Sequence, residues 1–245
     1  MAIQDPVNGY DESDPGFGIL YEEGPCLAVA KPGGLLTQAP PGIDSLETRV
    51  KQYFKQRDNK PGRVYLGVPH RLDRPVSGVL VLARHVRAAR RLSEQFAGRL
   101  VRKIYWALLE GRLEPDQGEW VDYVRKIPDV AQAEIVARNH ADARIAVLRY
   151  VVLRHAGDVT WAAIELETGR THQIRVQAAG HGHPVVGDIQ YGATLPFGPA
   201  CEDPRDRCIA LHARSLAFQH PMTRTTQAVT APLPKIWQSH GIGTP

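Results

Sequence analysis

Cysteine is scarce in this sequence, and what there is does not pair: Cys26, Cys201 and Cys208 are an odd number with no CxxC spacing. That argues against a disulfide framework and a zinc cluster, and for a reducing compartment. No apolar run approaches the ~20 residues that a membrane-spanning helix needs. The first thirty residues hold no Lys or Arg but six acids, Asp5, Asp11, Glu12, Asp14, Glu22 and Glu23. A secretory signal opens on a basic stretch before an apolar core, and a transit peptide is poor in acids, so neither pattern is present. These absences predict a cytoplasmic protein.

What is there is a body able to fold and inclined to bind anions. With 43% hydrophobic residues the chain can bury a sizeable core. The net charge of +4 conceals an asymmetry: residues 31–245 carry 30 basic side chains against 20 acidic ones. Such an excess suits a polyanion better than a neutral metabolite. Residues 1–18 read as a polar acidic tail punctuated by Gly and Pro. Residues 19–245 show no repeat, low-complexity tract or linker and read as one domain.

Periodicity places strands at 19–22, 26–30, 79–83, 103–110, 132–138, 144–154, 158–167 and 208–220. Asp44 with Glu47 predicts a capped helix in which Leu46, Val50, Tyr53 and Phe54 share a face. Residues 86–97 give a second helix, with Ala89, Leu92 and Phe96 on one side and Arg87, Arg90, Arg91 and Glu94 on the other. A third helix is expected from 171 to 179, closed by Gly180, and a short one over 232–238. Strands with a few interspersed helices favour an α+β fold.

Three stretches concentrate the chemistry. In "HRLDR", residues 70–74, an extended backbone puts Arg71 and Asp73 on one side and Leu72 in the core. "GRTHQIRVQ", 169–177, brings Arg170, His172 and Arg175 to a helix start. "RKIYWALLEG", 102–111, alternates Tyr105 with apolar neighbours behind two cations. A lone acid among cations, at the mouth of the apolar run 79–83, is the anomaly that needs a reason.

These stretches, with "SG" at 77–78, "GHPVVGD…YG" at 182–192 and "LHARSLAFQHP" at 211–221, resemble the RluA-type pseudouridine synthase family in order and spacing. The resemblance implies a bent, mixed and mostly antiparallel sheet flanked by helices and loops, with a central active-site cleft. It also implies a stand-alone catalytic domain lacking the small S4-like N-terminal RNA-binding domain. The activity implied is isomerisation of uridine to pseudouridine in ribosomal or transfer RNA. Asp73 matches the family's catalytic aspartate, acting at C1′ or C2′ of the ribose. Arg175 matches the arginine that keeps that acid charged in a dry pocket. Tyr105 matches the tyrosine that packs on the base and takes the C5 proton. No metal or organic cofactor is implied, and the partner is RNA, bound by a monomer. His70, Arg71, Arg74, Arg170 and His172, with Arg87, Arg90 and Arg91, are the expected RNA contacts. Val76 and Gln177 depart from the commoner Thr and His, and are expected to tune substrate choice. His181 and His183 read as structural or RNA-contacting, with no acid or Cys to complete a ligand set. A glycosidase usually needs two opposed carboxylates, and only Asp73 has such a setting. The alternative from another class is an RNA-binding assembly factor with secondary or lost catalysis.

Overall fold

In the computed structural model, which describes residues 16–203 and 207–240, the elements run β1 (Gly18–Glu23), β2 (Cys26–Lys31), α1 (Leu46–Arg57), β3 (Ser77–Ala83), α2 (Val86–Ala97), β4 (Arg102–Glu110), β5 (Gln117–Lys126), β6 (Ala133–Ile135), β7 (Arg144–Ala156), β8 (Val159–Leu166), α3 (Gln173–Gly180), β9 (Leu211–Gln219) and β10 (Thr226–Thr230). Short 3₁₀ turns occur at Ile189–Tyr191 and Lys235–His240. Residues 1–15 of the expected tail lie outside the described residues. Its last two are already packed: Phe17 is buried edge-on against Tyr53, and Gly18 pairs with Ala30.

One mixed sheet organises the described residues, in the order β1-β2-β3-β9-β4-β8-β7-β5-β6, with β10 added beside β9. Every pairing is antiparallel except β3–β9, which touch in parallel at Ser77–His212 and Gly78–Ala213. The apolar run at 77–83 is buried at all seven positions, as a strand covered on both faces must be. No helix among the described residues is long and apolar enough to cross a membrane.

The helices follow their sequence patterns, with shifts at the ends. α1 is capped by Ser45, whose hydroxyl accepts the Thr48 N–H, while Asp44 pairs with Arg49 instead. α2 keeps its expected bounds, and Leu92 packs beneath it. α3 starts at Gln173 rather than 171, because His172 takes a left-handed backbone (φ 51°) and cannot continue the helix. The Gln173 Oε1 then accepts both the Arg170 N–H and the Thr168 hydroxyl, which fixes the start. Gly180 remains helical, and the left-handed residue that follows is Gly182. Two strands, β5 and β10, are absent from the sequence reading. The closing segment at 232–238 is a 3₁₀ turn beginning at Lys235.

Candidate active site

The loop at 68–76 enters β3 from the surface, and three anchors set its shape. The Thr37 hydroxyl accepts the Leu72 N–H (3.1 Å) and donates to the Leu72 carbonyl (2.8 Å). The buried Lys31 ammonium donates to the carbonyls of Pro32, Leu35 and Arg74. Arg74 sends its Nε inward to the Gly34 carbonyl (2.9 Å). With Leu72 buried as expected, Arg71 and Asp73 face outward together.

They face a cleft with two lobes. The first, about 620 Å³, is walled by Leu72, Val76, Tyr105, Ile174 and Leu211, with Arg99, Lys103 and Arg170 toward its rim. The second, about 500 Å³, lies between Gln38, Ile189, Gln190 and Arg207. Arg71, Leu72, Asp73, His172 and Arg175 line both. Asp73 therefore sits where the lobes meet.

Arg175 is 3% exposed and carries its charge into this junction. Its guanidinium holds Asp188 with two hydrogen bonds (2.6 and 2.8 Å), donates to Gln190 (2.8 Å), and reaches Asp73 at 3.4 Å. The Tyr191 ring lies beneath it at 4.9 Å. Burial alone would lower the Arg175 pKa; the Asp188 hydrogen bonds and the charges of Asp188 and Asp73 turn it upward. The principal partner of Arg175 is thus Asp188, which is itself 1% exposed. Asp188 lies in the "GD" stretch, yet nothing local in the sequence marks it as the arginine's partner, because the pairing spans two elements.

Tyr105 stands on β4 with its hydroxyl unbonded among the described residues. Burial, then the charge of Asp73, pushes its phenol pKa up. At neutral pH it is therefore a phenol. His70 accepts the Val81 N–H (2.9 Å) and stacks on Phe96 at 4.2 Å. Burial, helped by Lys103, pushes it down to about 3, so it is a neutral wall of the cleft and not a cationic phosphate contact. His172 lies 3.6 Å from Asp73, and its Nδ1 is 2.9 Å from the Tyr191 hydroxyl.

The cationic face of α2 is differently used from expectation. Arg91 donates to the Pro221 carbonyl, Arg90 lies 3.6 Å from Glu94, and Arg87 is exposed. None of the three lines the cleft, to which α2 presents Ser93, Phe96 and Ala97. Cations that do line it, Arg99 and Lys103, were passed over. Burial and then Arg99 lower the Lys103 pKa; burial, then Arg99 and Arg144, lower that of Arg170. Three cations, Arg99, Lys103 and Arg170, thus crowd one rim with no carboxylate bound to any of them among the described residues. Of the two departures, Val76 lines the first lobe, but Gln177 is fully buried against β5 and bonds Asp122 (2.7 Å), away from the cleft. His181 stacks on Trp120, and His183 donates to the Glu110 carbonyl, so both are structural.

Among the described residues, Asp73 is the one carboxylate lining the first lobe, flanked by a buried arginine and rimmed by cations, a setting suited to a polyanion. The chain belongs to the RNA pseudouridylate synthase family, whose model matches residues 26–180. It is 34% identical over 228 residues to an uncharacterised RNA pseudouridine synthase of Zymomonas mobilis, covering 91% of this chain and 96% of that one. It is 31% identical to the dual-specificity RNA pseudouridine synthase RluA of Vibrio vulnificus, covering 90% of this chain and 84% of that one. It spans 65% and 62% of the length of the Synechocystis and Chloroflexus aurantiacus relatives that it also matches. Human RNA pseudouridylate synthase domain containing 4 shares the fold, with a TM-score of 0.73 at 24% identity over 90% of each chain. Human RNA pseudouridylate synthase domain containing 1 follows at 0.69 and 26%, over 91% of this chain and 86% of that one. The α+β architecture is therefore that of a pseudouridine synthase domain.

Proposed function

We propose that this protein isomerises uridine to pseudouridine in RNA, within the cytoplasm and as a monomer, with ribosomal or transfer RNA as substrate. The observation that carries the reading is Asp73 at the junction of the two lobes, within reach of Arg175 and opposite Tyr105. The relatives support the substrate class: one is named a dual-specificity RNA enzyme and another, from Pseudomonas aeruginosa, a ribosomal large subunit pseudouridine synthase D.

The substrate uridine leaves its stack at a cost of roughly a few kcal/mol. Arg99, Lys103 and Arg170 offset that cost by gripping flanking phosphates, and the exposed Arg71 fills the vacated stack with its flat guanidinium. The uracil enters the first lobe between Tyr105 and the apolar wall of Leu72, Val76, Ile174 and Leu211. The Asp73 carboxylate starts the reaction at the ribose, by attack on C1′ or by removing the C2′ proton, and the N–glycosidic bond breaks. The base turns and its C5 bonds to C1′ as the Asp73–C1′ bond opens or Asp73 returns the C2′ proton, and N1 gains a proton in place of the one C5 loses. A phenol takes the C5 proton only as it passes its own proton on, and Asp73, the acid facing Tyr105, is the acceptor. These steps use side chains alone and call on no metal or organic cofactor.

Transcriptome-wide pseudouridine mapping, in cells with and without the gene, tests the reading. It predicts discrete uridines that lose the modification with the gene. Unchanged maps beside intact RNA binding would favour an assembly factor.

A further inference from the structure

His172 is a non-glycine residue held in the left-handed region directly beside Asp73 (φ 51°). Such a conformation is costly for a non-glycine residue and persists where surrounding structure demands it. Its imidazole caps nothing in α3. It instead ends a hydrogen-bond chain through Tyr191, and its other ring nitrogen faces Asp73 at 3.6 Å.

The chain starts at the backbone. The Ala133 N–H donates to the Tyr191 hydroxyl oxygen at 2.9 Å. A backbone amide cannot accept, so the single hydroxyl proton of Tyr191 is left for its other neighbour, His172 Nδ1, at 2.9 Å. Nδ1 accepts that proton in the Nε2–H tautomer. Burial is the first cause lowering the His172 pKa, so the ring is neutral, and with Nδ1 accepting, its one proton sits on Nε2. Nε2 is the atom that faces Asp73 Oδ2 at 3.6 Å. The other groups facing the ring are Arg71 from the loop, Arg175 from α3, and Asp188 from the turn before Tyr191.

We propose that Tyr191 is a positioning residue for the reaction: by donating to His172 Nδ1 it locks the neutral imidazole so that Nε2–H points at the Asp73 carboxylate. This rests on the pseudouridine synthase reading. The locked dipole turns a second N–H toward Asp73, beside the hydrogen bond supplied by Arg175. It orients the oxygen that acts on the ribose without placing another full positive charge in the site.

Two-bond ¹⁵N–¹H spectra of the histidine-labelled protein read the tautomer directly, with the His172 signal assigned by its loss in His172→Gln. The wild type is expected to show Nε2–H, and Tyr191→Phe a mixture of tautomers. An Nδ1–H ring in the wild type overturns the proposal, whether or not the protein proves to be a synthase. If the protein releases tritium from C5-labelled uridine, kinetics give the second arm. Tyr191→Phe keeps the ring under Arg175 but should lower kcat about tenfold at pH 8, with KM for RNA unchanged. The loss should shrink only well below pH 6.5, where an imidazolium again carries a proton on Nε2. In the His172→Gln background, whose amide donates without help from Tyr191, the same substitution should cost little. An equal, pH-independent loss in both backgrounds would show that Tyr191 merely supports the fold.

Discussion

Thr37 decides where Asp73 points. Its one hydroxyl takes both backbone groups of Leu72, so Leu72 turns into the core and the next side chain turns out. Nothing at residues 32–43 in the sequence announces this, because the pairing spans 35 residues and the segment reads only as a Gly/Pro loop. Asp73, Tyr105 and Arg175 were legible through the resemblance. Their couplings through Asp188, Thr37 and Lys31 were not, since each partner is brought in by tertiary packing. The Tyr105 proposal has a direct check at this scale. Tyr105→Phe keeps the wall of the lobe but removes the hydroxyl that passes on the C5 proton. Turnover should fall by ~10²–10⁴ while RNA binding holds. Rates within a factor of two of wild type would reduce Tyr105 to a packing residue.

Two histidines give a pH signature to stability. Burial lowers His70 to about 3 and His212 to about 4, each against an ordinary value near 6.5. Between about pH 6.5 and 4 the unfolded chain binds protons that the native one refuses. Stability should therefore be unaffected by these rings above pH 6.5 and fall by up to a few kcal/mol as pH drops toward 4. Urea midpoints at pH 4.5 and 7.5 measure it, and His212→Gln should shallow the slope. A pH-flat wild type would contradict the assignment of neutral buried rings.

Among the elements, the β3–β9 contact does most to place the site, because it joins the loop carrying Asp73 to the central strand. The "SG" pair at 77–78, part of the family resemblance, has a structural job. Ser77 hydrogen-bonds His212 at 2.9 Å, and Gly78 adopts φ 123° with the Ala213 backbone where a Cβ would lie, 2.3 Å from its carbonyl oxygen. Gly78→Ala should thus cost more than about 3 kcal/mol in urea unfolding. A cost below 1 kcal/mol would show that the junction yields. Strands with continuous apolar runs, such as β3, were readable. β5 and β10 were not: β5 alternates but carries Glu119, Asp122 and Arg125 around the buried Trp120 and Val124, and β10 has only five residues with Val229 buried. The start of α3 was misplaced because left-handed His172 carries no local signal; side chains from elsewhere hold it there.

Over the whole molecule, part of the positive excess of the body lines the cleft. Arg99, Lys103 and Arg170 line the first lobe, whereas Arg87 and Arg91 do not reach it. Replacing the three rim cations with Ala should weaken RNA binding and flatten its log–log salt dependence by about 0.7–0.9 per lost phosphate contact. Replacing Arg87 and Arg91 should leave the slope unchanged. The reverse outcome would move the RNA track to the outer face of α2.

The central claim is that Asp73 starts the chemistry, and tritium release from C5-labelled uridine in bulk transfer and ribosomal RNA tests it most directly. Asp73→Asn preserves size and shape but removes the charge and the attacking or proton-abstracting oxygen, and no second acid lines the first lobe to replace it. The variant should fold, bind RNA at least as tightly as wild type, and release no tritium above background. Comparable release from the two proteins would contradict the account.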